Sequence, residues 1–228
     1  GTLRQTDIKG DGSNAGENYL NGGGHFDNAS TLTSITNSSG QTFVLAGGDD
    51  DGISLWTLNA NGDLTLEATR DNRDVRNGGD DFLTSDHDVG MHDVNVAKFV
   101  EIGGATYVFA GGQDDEIVTF RIDQAGNGDF SLNLVGQTGN IIHDISSMGV
   151  LPTGELVVGG EQQGLRFYAI SVNGNGTVSL NETAFVRDEG EPLAELWDSE
   201  AIDVEGGIIV SASDADSGIA VLDLYDRS

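Results

Sequence analysis

The chain has 228 residues, no cysteine, ten Lys and Arg against 38 Asp and Glu, and a formal net charge of −28. That length builds one sizeable core in a single domain. The charge disfavours nucleic acid and anionic membrane surfaces as partners through long-range repulsion, and the missing thiols exclude disulfides and thiolate metal sites. No apolar stretch approaches the roughly 20 residues that span a bilayer as a helix, so no membrane insertion is expected.

Thirty-four glycines against two prolines, with Val, Ile, Phe and Thr in short runs, read as strands joined by tight turns. No segment sustains the helical apolar period of about 3.6, so almost no helix is expected. In chain order, Gly1–Thr6 reads as a strand, followed by a long polar stretch to Gly24. Ala29–Ile35 is a strand, and Gln41–Leu58 (QTFVLAGGDDDGISLWTL) holds two more around an acidic turn. The turn Asn59–Asp63 leads into the strand Leu64–Thr69, and a second long polar stretch runs over Asp71–Met91. Val94–Val100, Ala105–Ile122 (ATYVFAGGQDDEIVTFRI) and Phe130–Gly136 repeat the same series, and a short link, Gly139–Ile142, follows. Ile145–Leu151, Gly154–Ile170 (GELVVGGEQQGLRFYAI) and Val178–Phe185 are its third copy. Glu200–Val204 and Gly206–Leu224 (GGIIVSASDADSGIAVLDL) open a fourth. The Asn61-Gly62 and Asn173-Gly174 pairs suit the positive φ of tight hairpins.

Each copy is four strands, with a Gly or small-residue pair and an acidic or amide-rich turn between its second and third. A repeated four-stranded antiparallel unit is the signature of a propeller blade. The expected fold is therefore all-β, a four-bladed β-propeller over 1–228. Its blades span approximately 25–70, 92–138, 143–188 and 197–228 plus 1–6. In that reading the N-terminal strand Gly1–Thr6 closes the C-terminal blade, which ends after its third strand, and so removes two open sheet edges. The chain begins without Met, which reads as a processed chain or a piece of something larger.

The stretch Met91–Asp123 (MHDVNVAKFVEIGGATYVFAGGQDDEIVTFRID), followed by Gly128–Gly136, resembles one blade of the bacterial lactonase-like and YVTN-type propellers. The other three copies fit more loosely. The resemblance implies the propeller fold. It carries over no catalytic residue, since the active-site residues of those enzymes come from blades with no counterpart here. The acidic, Gly-rich, Cys-free style also looks like domains of large secreted calcium-dependent bacterial proteins, without their nonapeptide Gly-Gly-x-Gly-x-Asp run.

Aligning the first strands gives Phe26-Asp27, His92-Asp93, His143-Asp144 and Trp197-Asp198, one pair per blade, with Ala29, Asn95, Ser146 and Glu200 two residues on. First strands line a propeller's channel, so Asp27, Asp93, Asp144 and Asp198 would converge near one mouth. Period-two alternation would turn Asn95 and Glu200 the same way. Carboxylates so crowded either protonate in part or are neutralised by a cation and water, and oxygen-only ligation would favour Ca²⁺. His25, His92 and His143 with a carboxylate would suit Zn²⁺. The alternative, given Phe26 and Trp197 at neighbouring ring positions and His25 one residue out of register, is that His92 and His143 are flat packing residues. The structural alternative is that each Asp accepts backbone N–H groups and fixes the turn before its strand. The acidic turns Asp49–Asp51, Gln113–Glu116, Glu161–Gln163 and Asp214–Asp216 read as solvated, because the acid thins to Glu-Gln-Gln in the third copy. No nucleophile elbow, His-Glu-x-x-His or phosphate loop is present. The expected function is an extracellular, secreted binding or structural module. It would recognise a protein or glycan, or other domains of a larger secreted protein, through the face bearing the long loops. The alternative is a metal-assisted hydrolase of lactone or ester type, with a ring Asp holding the cation and His92 or His143 carrying the proton.

Overall fold

A computed structural model describes residues 29–48, 52–71, 91, 93–139, 144–160 and 164–186 in full, and residues 199–205, 208–213 and 219–223 as backbone. The described residues form antiparallel strands and no helix. The first sheet comprises β1 (Thr31–Thr36), β2 (Thr42–Gly48), β3 (Gly52–Leu58) and β4 (Leu64–Asp71). The second comprises β5 (Val94–Ile102), β6 (Ala105–Gly112), β7 (Ile117–Gln124) and β8 (Phe130–Gln137). The third comprises β9 (Ile145–Val150), β10 (Glu155–Gly160), β11 (Gly164–Val172) and β12 (Val178–Val186). The fourth has β13 (Ser199–Glu205), β14 (Ile208–Ser213) and β15 (Ile219–Asp223). Every sheet is a meander with its strands in chain order.

The hairpins follow from local chemistry. Five of them share one loop: the residue before the loop donates to the carbonyl four on, and a Gly donates back to it, as in Asn59 N–H to Asp63 O and Gly62 N–H to Asn59 O, both 3.0 Å. The third residue of each loop, Gly40, Gly62, Gly128, Gly154 or Gly176, has φ between 84° and 96°, a region open to glycine at no steric cost. This corrects one expectation. In the last hairpin Gly176 takes the positive φ, not Gly174, because the Asn173 N–H to Thr177 O bond (2.9 Å) sets a three-residue loop.

Two irregularities recur. Asn95, Ser146 and Glu200 are each an extra residue in the pairing of a first strand with its neighbour. Glu67, Val135 and Thr183 are extra residues at matching places in the fourth strands. Such bulges raise local twist and re-aim the strand.

The sheets pack face to face in chain order, β1 on β5, β5 on β9 and β9 on β13 along one side, and β4 on β8 and β8 on β12 along the other. Phe43, Leu45, Ile53 and Leu55 of the first sheet pack with Val94, Ala97, Val108 and Phe120 of the second. Val96, Tyr107, Phe109 and Ile117 of the second pack with Ile145, Met148, Leu156 and Val158 of the third. Phe43 and Phe130 meet edge to face, their centroids 4.9 Å apart.

The repeated glycine pair has its cause here. A Cβ on Gly47 would lie 3.2 Å from Val94 Cβ, and one on Gly111 would lie 2.8 Å from Ile145 Cγ2. Val94 and Ile145 open the first strand of the following sheet, so the glycine is the seat on which that strand begins.

Candidate functional site

The first strands enter at the same end of their sheets as the acidic turns between second and third strands. Val94 pairs with Gly112 and Ile145 with Gly160, the residues that border those turns. Asp71, the last residue of β4, pairs with Gly52 at this end as well. Asp71 and Asp93, on either side of the 72–90 segment, therefore both stand at this rim.

Asp93 and Asp144 stand immediately before β5 and β9 with φ of 43° and 44°. Both are half-buried. Left-handed backbone costs most residues about 1 kcal/mol or more, while Asp and Asn tolerate it. The recurrence of Asp at this position therefore has a backbone cause. Asp115, in the acidic turn of the second sheet, is also left-handed (φ 57°), and its Oδ1 accepts the backbone N–H of Asp144 at 3.0 Å. The turn of one sheet thus caps the entrance to the next.

That turn is not solvated, contrary to the sequence expectation. Asp114 is 1% exposed and Glu116 5%. Gln137 Nε2 donates to Glu116 Oε2, and the Ile117 N–H donates to Thr138 Oγ1 at 2.8 Å. Buried carboxylates are tolerated when hydrogen-bonded, and the end of β8 together with the start of β9 encloses this turn. The other acidic turns, 49–51, 161–163 and 214–216, lie outside the described residues.

Of the expected ligand set, Asp93, Asn95 and Asp144 are described with their side chains, and Glu200 as backbone alone. Asp27, His92, His143 and Asp198 lie outside the described residues. The alternation that would turn Asn95 with Asp93 does not apply. Asn95 and Glu200 are bulge residues, and Asp93 is left-handed where alternation needs extended backbone. The pairings Thr31–Gly47, Val96–Gly111, Ser147–Gly159 and Ala201–Ala212 align the four first strands. Among the described residues no three His, Asp or Glu side chains form a group able to hold a metal ion.

Other polar side chains pin sheet to sheet. Ser38 N–H donates to Glu101 Oε2 at 3.0 Å, Phe130 N–H to Glu67 Oε2 at 3.0 Å, Arg70 Nε to Leu132 O at 2.9 Å and Ala97 N–H to Thr31 Oγ1 at 3.1 Å. Arg121 clamps Asp123 through two bonds of 2.8 Å. That clamp, with a further bond from Asn133, holds the Asp123 carboxyl below its ordinary range. Arg166 lies 4.4 Å from the Phe185 ring centroid and pairs with Glu182 at 2.6 Å. Beside it, burial pushes the Tyr168 hydroxyl up to about 12, with Arg166 partly opposing. The Arg121–Asp123 clamp lies two residues apart on β7 and is local, whereas the other pairs depend on a register or an inter-sheet contact and carry no local sequence signal.

No protein-family model matches the chain, and no curated protein matches its sequence.

Proposed function

We propose that the chain is an extracellular, non-catalytic binding or structural module built as a ring of four propeller blades, with Gly1–Thr6 completing the fourth. Its ligand is a protein or a glycan, or a neighbouring domain of a larger secreted protein, met by the rim from which the 7–24 and 72–90 segments extend. A hard cation such as Ca²⁺ in the central channel belongs to the same proposal. The likeness to lactonase-like repeats is taken as one of architecture. One observation carries this reading. Asp93 and Asp144, the residues of most catalytic aspect, sit at φ of 43° and 44° at strand entrances. There the left-handed backbone favours Asp without any catalytic role, and the neighbouring Asp115 accepts the N–H of Asp144.

The test uses the purified chain in three measurements: metal content with melting temperature before and after chelation, turnover of a lactone and ester panel, and binding to a glycan array. Replacing 73–89 with a short Gly-Ser linker should abolish array binding and leave the melting temperature unchanged. Metal-dependent lactone turnover, lost in a folded Asp93→Asn or Asp144→Asn variant, would instead establish the hydrolase. Metal that raises the melting temperature without turnover supports the channel cation.

A further inference from the structure

Four Asn-Gly steps lie in the described hairpin loops: Asn61-Gly62, Asn127-Gly128, Asn173-Gly174 and Asn175-Gly176. All four Asn side chains are exposed. Such a step is chemically labile, because glycine has no side chain to hinder the approach of its own nitrogen to the Asn carboxamide. The Gly nitrogen gives up its proton and attacks Cγ. The N–Cγ bond forms, the Cγ–Nδ2 bond breaks, and Nδ2 leaves as ammonia, which accounts for that proton. Water then opens the cyclic succinimide at either carbonyl, leaving Asp or isoaspartate. Two local restraints oppose the reaction. A hydrogen bond from the Gly N–H guards its proton, and one to the carboxamide holds Cγ in place.

Two of the steps carry both restraints. Gly128 N–H donates to Ala125 O at 3.0 Å, and Gly176 N–H to Asn173 O at 2.8 Å. Asn127 Oδ1 accepts the Asp129 N–H at 3.3 Å, and Asn175 Oδ1 accepts the Thr177 N–H at 3.1 Å. Asn61 carries one restraint. Gly62 N–H donates to Asn59 O at 3.0 Å, but Asn59 Oδ1 takes the N–H groups of Asn61 and Asp63, at 2.9 and 3.0 Å. That leaves the Asn61 carboxamide without a bond.

Asn173 carries neither restraint. It holds the place in its loop that Asn59 holds in the first, yet the Thr177 N–H it would accept is taken by Asn175. Among the described residues neither its carboxamide nor the Gly174 N–H makes a hydrogen bond. A Cβ on Gly174 would meet nothing within 4 Å, so the attack is unobstructed.

We propose that Asn173 is a site of spontaneous covalent modification, at which the β11–β12 hairpin cyclises and becomes isoaspartate ahead of the other three steps. Asn61 follows, and Asn127 and Asn175 are protected. An isoaspartate adds a methylene to the main chain inside the loop that the Asn173 N–H to Thr177 O bond closes, and it adds a negative charge.

The test is peptide mapping of the intact chain held folded in mildly alkaline buffer, beside the same chain in urea. Each native rate is divided by the rate of the same step in urea, which removes the reactivity of the local sequence. The ratio for Asn173 should exceed those for Asn127 and Asn175 by about tenfold or more, the scale of two modest hydrogen bonds. Asn175→Ala gives a second reading. It frees the Thr177 N–H for Asn173 Oδ1, as the Asp63 N–H serves Asn59, and should slow Asn173 by about threefold or more. Equal ratios at Asn173 and Asn175 overturn the proposal. So does a folded chain in which Asn173 stays intact while it reacts in urea, and so does an Asn173 rate that Asn175→Ala leaves unchanged.

Discussion

The backbone N–H of Asp144 donates to Oδ1 of Asp115 at 3.0 Å, across 29 positions of sequence. This bond ties the acidic turn of the second sheet to the entrance of the third. Asp115→Ala removes the acceptor and leaves a residue with a Cβ at φ 57°, a combined loss of about 2–3 kcal/mol. Asp115→Asn keeps both the acceptor and the tolerance for left-handed backbone, and should fall within about 0.5 kcal/mol of wild type. Urea unfolding of the two variants checks the contrast.

Asp93 and Asp144 should obey a backbone rule. If φ near 43° is the reason for Asp, then Asn and Gly are accepted at either place, whereas Val costs about 1–2 kcal/mol or more. Thermal melts of Asp144→Asn, Asp144→Gly and Asp144→Val test the order. A destabilised Asn variant whose loss is reproduced in wild type by chelation would show that a bound cation, more than the backbone, selects Asp.

Gly111→Ala places a Cβ 2.8 Å from Ile145 Cγ2, and overpacking of a fixed strand costs about 1–3 kcal/mol. Ile145→Ala alone loses about 2–5 kcal/mol by leaving a cavity. The double variant should be more stable than the sum of the two predicts, by at least about 1 kcal/mol, because the new methyl fills part of the space. Additivity would mean that Ile145 does not rest on Gly111.

Tyr168 predicts an alkaline limb. Burial raises its hydroxyl from 10.0 to about 12, so the folded state holds the proton more tightly than the unfolded chain does. The stability tied to the neutral form is complete below pH 10 and is lost as pH rises through 10 to 12, by about 2–3 kcal/mol. Tyr168→Phe should remove this limb while changing stability at pH 7 by no more than about 1 kcal/mol. Unfolding curves of both proteins at pH 7, 10 and 11.5 give the comparison.

Much of the fold was legible because a meander is written locally. The expected strand Val94–Val100 is observed as Val94–Ile102, and Val178–Phe185 as Val178–Val186. Period-two alternation and Gly-bearing loops encode hydrogen-bond ladders between segments a few residues apart. The candidate rim was legible only as a recurrence of Asp. What the Asp does was hidden, because a bulge at Asn95 and left-handed backbone at Asp93 break the alternation that would otherwise aim the side chains.

Near-neighbour patterns in the chain were enough for the all-β class and, among the described residues, for the repeat and for strand boundaries to within about two residues, since each depends on residues close in sequence. Packing between sheets settled the rest. Asp114 and Glu116 look like solvent-facing turn residues in the string, yet they are buried where β8 ends and β9 begins. Gly111 looks like a turn residue, yet it is the seat of Ile145. Both outcomes depend on which sheet lies against which, and that contact joins residues too far apart in sequence for any local pattern to record it.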